Sequence, residues 1–523
     1  MKKLLLLLIT TLTFISCSET VEAERIPWTS TSEEAKIMFE DFLTRGEKRL
    51  WDQELAEKMM DSILTLDPEF IFAKTRDGFG TNVENRENLL YAYENREKVS
   101  DIEKRLIESF YEVWINGNRV KEDEILDKLV EDYPQYYQLR IWSGDIKNDL
   151  QDPKASQKRW EEALEINPKA FGPYLKLAFL HFPVSANDVM LAAEERDLNV
   201  AIDYLTRGAK IYPESSRWPR FLGNVYRAQG DLDKALVAYE ESIVLIEKNE
   251  GKKPGPYGNS LLMVGHVNTF KGEYDKARVA YDQGIAVSNN GWKVGMTELK
   301  SHTYMYQKDF ASAVRLLSEF QEEIKKMDEE DRWINARLRE LEFNKFLAFG
   351  HSQKEEETLL SIEKMKELSE ANRAINLENA FNDDQKGRIM LGFDKNNLAN
   401  VIWYNILFGK YEESRELLVD FEEISKKQLA YNPNAMNELH KFSGYLNLME
   451  GDPNASIDSY SNLTDVVLTA DNYHMYFFAL AKKAIGESEE SEKIFIALAN
   501  DNFAQWQNAM VKNLAKAQIE VNL

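Results

Sequence analysis

Apolar residues recur three and four positions apart over most of the chain, which is the period of an amphipathic α-helix. Gly-Asp and Gly-Glu breaks divide this pattern into pairs of helices joined by tight turns. The clearest pair covers residues 221–243, and residues 263–285 repeat it with ten of twenty-three positions identical. The pattern therefore predicts an all-α array of helix-turn-helix units, each packed on the next.

A small residue followed four positions later by a large one marks the second helix of each predicted unit. Both side chains lie on one face, so the small residue lets the first helix approach and the large one fills the remaining space. Such pairs occur at Ala56/Met60, Ser156/Trp160, Ala201/Leu205, Ala235/Tyr239, Ala277/Tyr281, Ala313/Leu317, Ser414/Leu418, Ser456/Tyr460 and Ser491/Phe495. We therefore expect units along most of the chain, with loops that absorb their unequal spacing.

The residues of the clearest unit resemble a known repeat. Gly223, Tyr226, Gly230, Ala235 and Tyr239 match the pattern of the tetratricopeptide-repeat family at the same offsets. This resemblance implies an α-solenoid, wound as a right-handed superhelix. It also implies a concave groove, lined mainly by first helices, of the kind that usually binds peptides or protein segments.

The beginning of the chain has a different pattern. Lys2 and Lys3 precede an apolar run that ends at Ile15, which is too short to span a bilayer and suits a secretory signal. The following Cys17 is the only cysteine, and "FISC" resembles the lipobox of bacterial lipoproteins. The resemblance implies cleavage before Cys17, a lipid on its sulfur, and a place in the envelope of a Gram-negative bacterium, at the outer membrane. A coincidental cysteine beside an ordinary cleavage site is the alternative.

Five segments follow from these patterns. Residues 1–16 are predicted to be a signal peptide and residues 17–28 an acidic tether. An N-terminal repeat array over 29–319 is followed by divergent helical hairpins over 320–395 and by C-terminal repeats with a capping helix over 396–523.

Composition and charge narrow the classes of function. Hydrophobic residues make up 43% of the chain and aromatic residues 11%, which favours a folded body. The chain has 89 acidic and 65 basic residues, so its formal net charge is −24. Because this field opposes nucleic acid and anionic bilayer surfaces, we expect no nucleic-acid partner.

The sequence carries no recognisable motif for catalysis, metal binding or cofactor binding. Six histidines are scattered singly, and neither a zinc-ligand spacing nor a phosphate loop nor a nucleophile elbow occurs. The sequence therefore predicts a non-catalytic protein with no metal site and no cofactor.

The candidate binding residues lie on the predicted first helices. Arg217, Arg220, Asn224 and Arg227 are spaced three, four and three positions apart, so they share one face of one helix. The arginines could hold a carboxylate while Asn224 contacts a peptide backbone. Alternatively, they pair with neighbouring acidic residues on a wet surface.

Two histidines extend this candidate surface. His266 and His302 occupy equivalent places in the next two units, where they could form a polar strip or stand as isolated residues. The favoured hypothesis is a lipid-anchored scaffold that holds a protein or peptide partner in the groove. A nutrient-capture lipoprotein resembling the SusD-type glycan binders is the alternative, and it requires an exposed aromatic cluster. An envelope enzyme is a third hypothesis.

Overall fold

The computed structural model describes residues 23–48, 53–78, 82–182, 184, 189–249 and 255–520. The predicted signal peptide and Cys17 lie outside these ranges. The described residues form α-helices and two short 3-10 turns, with no β-strand. None of these helices has both the length and the apolar character that crossing a bilayer requires. The predicted all-α solenoid is thus confirmed, while the hand of its superhelix stays a prediction.

The helices are α1 (Glu33–Lys48), α2 (Gln53–Leu66), α3 (Ile71–Lys74), α4 (Asn82–Glu94), α5 (Asp101–Trp114), α6 (Arg119–Asp132), α7 (Tyr137–Asp149), α8 (Pro153–Ile166), α9 (Phe171–Phe179), α10 (Leu198–Ile211), α11 (Arg217–Ala228), α12 (Leu232–Asn249), α13 (Pro256–Phe270), α14 (Tyr274–Ala286), α15 (Asn290–Tyr306), α16 (Phe310–Ile324), α17 (Asp331–His351), α18 (Glu355–Glu378), α19 (Asp383–Leu407), α20 (Tyr411–Gln428), α21 (Asn437–Met449), α22 (Pro453–Tyr460), α23 (Asp465–Thr469), α24 (Asn472–Ala484), α25 (Ser488–Asn500) and α26 (Trp506–Glu520). The 3-10 turns are Arg96–Lys98 and Ala193–Glu195.

Local sequence sets where the helices begin and end. The Ser100 hydroxyl accepts a hydrogen bond from the Glu103 amide, and the Glu103 carboxylate accepts one from the Ser100 amide, so α5 begins with a capping box. Gly230 and Gly272 have φ values of 82° and 76°, a left-handed conformation that most other residues avoid. These glycines therefore allow the tight turns after α11 and α13.

Three hairpins are closed by a glycine of the first helix that lies against a tyrosine of the second. The pairs are Gly223 with Tyr239, Gly265 with Tyr281, and Gly444 with Tyr460. A Cβ atom on any of these glycines would stand 2.4 to 2.6 Å from the tyrosine ring, far inside van der Waals contact. The three tyrosines are fully buried. The large residue predicted on the second helix thus fills the space that the glycine leaves.

The stacked hairpins wind into a superhelix whose successive turns touch. Five hydrogen bonds join residues 273 to 293 positions apart: Arg86 to Asn379, Arg388 to Ile115, Asn437 to Gln151, Arg196 to Thr469, and Asn502 to Arg227. In each pair the two partners lie in or beside helices fourteen apart, such as α5 and α19, or α11 and α25. Seven hairpins therefore complete about one turn.

The ends of the described chain fold back into this superhelix. Helix α26 packs on α25 and α24 and also on α15. The Trp506 ring lies 5.8 Å from Phe343, 5.5 Å from Trp403 and 5.5 Å from Tyr473, between centroids. At the other end, α1 contacts α9. The predicted capping helix therefore packs on the last hairpin and also bridges to α15, which belongs to a distant hairpin.

The predicted tether differs in detail from the structure. The tether was predicted to extend to residue 28, but Ile26 and Trp28 are buried, and the Arg25 guanidinium forms ion pairs with Glu40 and Glu47. This part of the tether is held inside because its apolar side chains leave water. Residues 320–395 continue the helical stack through α17 and α18, which pack closely on each other.

Gly265→Ala is expected to destabilise the protein, because the new methyl group would stand 2.4 Å from the Tyr281 ring. We expect a loss of about 1–3 kcal/mol, typical of overpacking. Gly295→Ala in α15 is the matched control, since nothing lies within 4 Å of its Cβ position. It should be neutral or stabilise by up to about 1 kcal/mol, because glycine is a poor helix former. Denaturant unfolding followed by circular dichroism measures both; equal midpoints would refute the packing argument.

Candidate functional site

The structure buries most of the predicted arginine face. Arg220, Asn224 and Arg227 are 8%, 2% and 3% exposed, and Arg217 is half-buried. The Asn224 Oδ1 atom accepts a hydrogen bond of 2.7 Å from the Tyr239 hydroxyl. The asparagine thus serves the hairpin packing of α11 on α12. It does not offer its amide to a partner's backbone.

The two predicted histidines are buried as well. His266 Nδ1 lies 2.8 Å from the Tyr281 hydroxyl, and His302 Nε2 lies 2.8 Å from Asn344 Oδ1. Burial lowers the pKa of His302 to about 4 and holds the pKa of His266 well below its usual value. The charges of Arg227 and His302 act on His266, which indicates that the structure places these three side chains near one another. It does not present them as a polar strip on an open groove.

The chain's own C-terminal segment covers this face. Asn502 Nδ2 donates to the Arg227 carbonyl at 3.1 Å, and Asn513 Nδ2 donates to the Tyr306 carbonyl at 3.0 Å. The Lys512 ammonium lies 5.4 Å above the Phe270 ring, and burial lowers its pKa to about 8. The open groove predicted along α11, α13 and α15 is therefore absent here, because residues 502–513 occupy it.

The aromatic residues that the sequence drew attention to are mostly core. Trp403, Tyr404, Tyr473 and Tyr476 are all buried in the cluster formed by α17 to α26. They do not form the exposed aromatic surface that the glycan-binding hypothesis required.

A cavity of about 660 Å³ lies instead in the N-terminal half of the superhelix. It is enclosed by the extended segment before α1, by α1 itself, by the residues after α3, and by α7, α8 and α9. Its volume falls within the usual range of ligand pockets. The inner side of the superhelix is thus filled near its C-terminal end and open at this place.

The segment before α1 forms one wall of the cavity. The Thr29 amide donates to Glu103 Oε1 at 2.9 Å, and the Thr31 amide donates to Asp67 Oδ2 at 2.8 Å. These bonds hold the chain extended and place Trp28 on the cavity, with its ring stacked 4.6 Å from Phe72. The wall is thus fixed by side chains from α5 and from the end of α2.

Helices α7 and α8 supply two more tryptophans. Trp142 and Trp160 both line the cavity. The Trp160 Nε1 atom donates to Asp145 Oδ1 at 3.1 Å and to the Ile141 carbonyl at 3.3 Å. Since Trp160 lies four positions after Ser156, it is the large member of a predicted pair, and its ring contacts both the hairpin and the cavity.

Charged groups on the cavity are largely paired. Lys176 Nζ lies 2.7 Å from Asp145, and Arg25 Nη2 lies 3.5 Å from Glu47. Burial raises the pKa of Glu47 although the nearby Arg25 charge opposes this. Such pairs keep charged groups at a partly buried surface without making it strongly acidic or basic.

Gln138 is the exception among the polar groups of the cavity. Its side chain is 97% buried, since its exposed fraction is 3%. Among the described residues, neither its amide nitrogen nor its amide oxygen has a hydrogen-bond partner. Leaving such groups unpaired costs about 1–3 kcal/mol. The Gln138 amide is therefore an unpaired donor and acceptor group in the wall of the cavity.

Sequence reasoning did not select Trp28, Trp142 or Gln138. Trp28 carried a usable signal, since Ile26 and Trp28 are large apolar residues in a segment otherwise typical of a tether. Gln138 carried none, because a polar residue near the start of a helix gives no sign of burial. Within the described ranges, no three His, Cys, Asp or Glu side chains converge as a metal site would require.

Comparison with known proteins identifies one repeat directly. Residues 221–249 match the family profile described as tetratricopeptide repeat. The chain resembles the crystal structure of a tetratricopeptide repeat protein from Parabacteroides merdae, with 14% identity, 50% of this chain and 95% of that chain covered, and a TM-score of 0.31. It also resembles YrrB, described as a TPR protein with an unusual peptide-binding site, with 13% identity, 40% and 91% covered, and a TM-score of 0.24.

None of the curated protein sequences compared with the chain matches it. The chain therefore contains a tetratricopeptide repeat at α11 and α12, and the hairpin packing described above carries the solenoid through the other helices. Folds of this type are typically non-catalytic scaffolds for protein interactions.

Acidification is expected to destabilise the protein through its buried histidines. The pKa of His302 is about 4 in the folded chain and about 6.5 when unfolded, so the unfolded chain binds more protons between these values. Stability is therefore lost as the pH falls from about 6.5 towards 4. Between pH 7 and pH 5, His302 should account for about 2 kcal/mol of the loss.

His302→Gln should reduce this loss, measured as the difference in denaturant unfolding free energy at pH 7 and pH 5. His440→Gln is the control, because His440 is only half-buried. If both variants show the wild-type loss, His302 does not titrate as the structure indicates.

Proposed function

We propose that the protein is a non-catalytic scaffold of the bacterial cell envelope, anchored by a lipid on Cys17, which binds a segment of a protein partner in the cavity between α1 and α7 to α9. The observation that carries the proposal is the buried Gln138 amide, whose donor and acceptor are unpaired among the described residues. One peptide unit offers a carbonyl and an N–H group, which is the complementary pair.

The walls of the cavity suit such a segment. Trp28, Trp142 and Trp160 offer large apolar surfaces for side chains, while the ion pairs of Arg25 and Lys176 lie at the same cavity. Binding sites for peptides combine apolar contact with a few well-placed polar groups in this manner. The tetratricopeptide repeat at residues 221–249 is consistent with a role in protein interaction.

The proposed anchor would keep the cavity close to the membrane. Five residues separate Cys17 from Ala23, and the six steps between these two residues reach at most about 20 Å when fully extended. Ala23 packs against the hydrophobic cluster of α7 to α11, and Arg25 lines the cavity. A lipid on Cys17 would therefore hold this end of the superhelix near the bilayer surface, so we favour a membrane-proximal partner.

Cys17→Ser is expected to release the protein from the membrane fraction, because a lipidated cysteine provides the only anchor in this proposal. In cells fed labelled palmitate, the wild type should carry the label and sediment with membranes, and Cys17→Ser should do neither. Ser18→Ala, which keeps the cysteine, should behave as the wild type. An unlabelled wild type would refute lipidation.

A photo-crosslinking residue at Leu43, a half-buried position on the cavity, should capture the partner in living cells. The matched control is the same residue at Val279, which is 57% exposed on α14. We expect a discrete protein adduct from position 43 only. Adding Gln138→Leu should reduce its yield at least about threefold, because the peptide unit loses both hydrogen bonds. No adduct, or the same adducts from both positions, would contradict the proposed site.

A further inference from the structure

We propose that the cavity recognises a carboxylate group through Arg76, a residue that follows α3 and lines the same space. This inference rests on the proposed role of the cavity as a peptide site and adds the chemical class of what is bound. It comes from a separate observation, the surroundings of the Arg76 guanidinium.

Aromatic rings hold this guanidinium in place. Its central carbon lies 4.4 Å from the centroid of the Phe110 ring, 5.1 Å from that of Trp142, and 5.9 Å from that of Phe72. Stacking of this kind fixes the plane of the group and leaves its N–H edge for hydrogen bonds. Phe110 and Phe72 belong to the N-terminal hydrophobic cluster, so the position of Arg76 is set by the core.

The charge of Arg76 lacks a partner of its own. No carboxylate in the described part of the chain lies within ion-pair distance of it, and its buried Nε atom has no hydrogen-bond acceptor there. Glu122, whose charge acts on Arg76, is paired with Arg119 at 3.1 Å. By contrast, Arg25 and Lys176 each have an acidic partner at the same cavity.

Burial lowers the pKa of Arg76 to about 10, although the charge of Glu122 opposes this shift. The Arg76 side chain is half-buried, and a partly desolvated cation with no anion beside it is poorly compensated. A carboxylate placed against its N–H edge would restore both charge balance and hydrogen bonds, in the two-bond geometry that arginine favours. The unpaired amide of Gln138 in the same cavity would serve the adjoining peptide unit.

Two sources could supply the carboxylate: the C-terminus of a partner chain or an acidic side chain within it. Three blocked tripeptides separate them. Acetyl-Ala-Leu-Ala with a free C-terminus carries only the first, acetyl-Ala-Leu-Glu-amide only the second, and acetyl-Ala-Leu-Ala-amide neither. Isothermal titration of the full mature protein with each peptide, at constant ionic strength, measures their affinities.

At least one acidic peptide should bind about tenfold or more tightly than the neutral one, the usual gain from a charge-assisted hydrogen bond. In Arg76→Gln this ratio should fall close to one. Arg76→Lys should keep part of it, because the charge stays but the planar fork is lost. Arg140→Gln is the control, since Arg140 is a half-buried arginine of α7 beside Glu162. Thermal melting confirms that each variant is folded.

Equal binding of all three peptides would overturn the carboxylate inference and leave the proposed peptide site standing. An acid preference that persists in Arg76→Gln would overturn the assignment to Arg76. If no peptide binds, the inference fails as well, and the crosslinking result at Leu43 then decides whether the proposed function fails with it.

Discussion

In a hairpin, a glycine of the first helix packs against a buried tyrosine of the second. This contact brings the two helices so close that their relative position has little freedom. Gly223 and Gly265 make this contact in neighbouring hairpins, and Gly444 makes it in a distant one. Because similar hairpins stack in similar ways, the small rotation between neighbours repeats and accumulates into a regular superhelix. The contacts between helices fourteen apart are the long-range result of this local constraint.

The closed turn decides what the inner side of the superhelix can do. After seven hairpins the superhelix has turned back on itself. The apolar first-helix residues on its inner side are then buried only if other residues fill the space inside the turn, and here both ends of the described chain do so. Trp506 and its neighbours on α26 occupy the C-terminal part, and α1 with Trp28 occupies part of the N-terminal half. The cavity lies beside α1 and Trp28 in the N-terminal half, so the surface that we propose for binding is a pocket rather than a long groove.

The fold could be predicted from the sequence because its determinants are local. The glycine at 223 and the tyrosine at 239 belong to one hairpin, and their spacing is visible in any one unit. The exposure of Arg227 could not be predicted, since it depends on Asn502, which lies 275 positions away. The same holds for the cavity beside Gln138, one wall of which is formed by Arg25 and Trp28, more than a hundred residues earlier. Sequence periodicity shows which face of a helix is apolar, but not which distant segment covers the polar face.

Electrostatics connects the global charge of the chain to the chemistry of its cavity. A protein of net charge −24 repels acidic segments over most of its surface, so general attraction does not bring them to it. An acidic group would gain where a partly desolvated cation has no ion-pair partner within the described structure, as at Arg76. The specificity of such a site for acidic groups would come from the contrast between one favourable position, at Arg76, and a protein surface that repels them. It therefore favours a partner whose acidic group fits the cavity over one that is merely acidic.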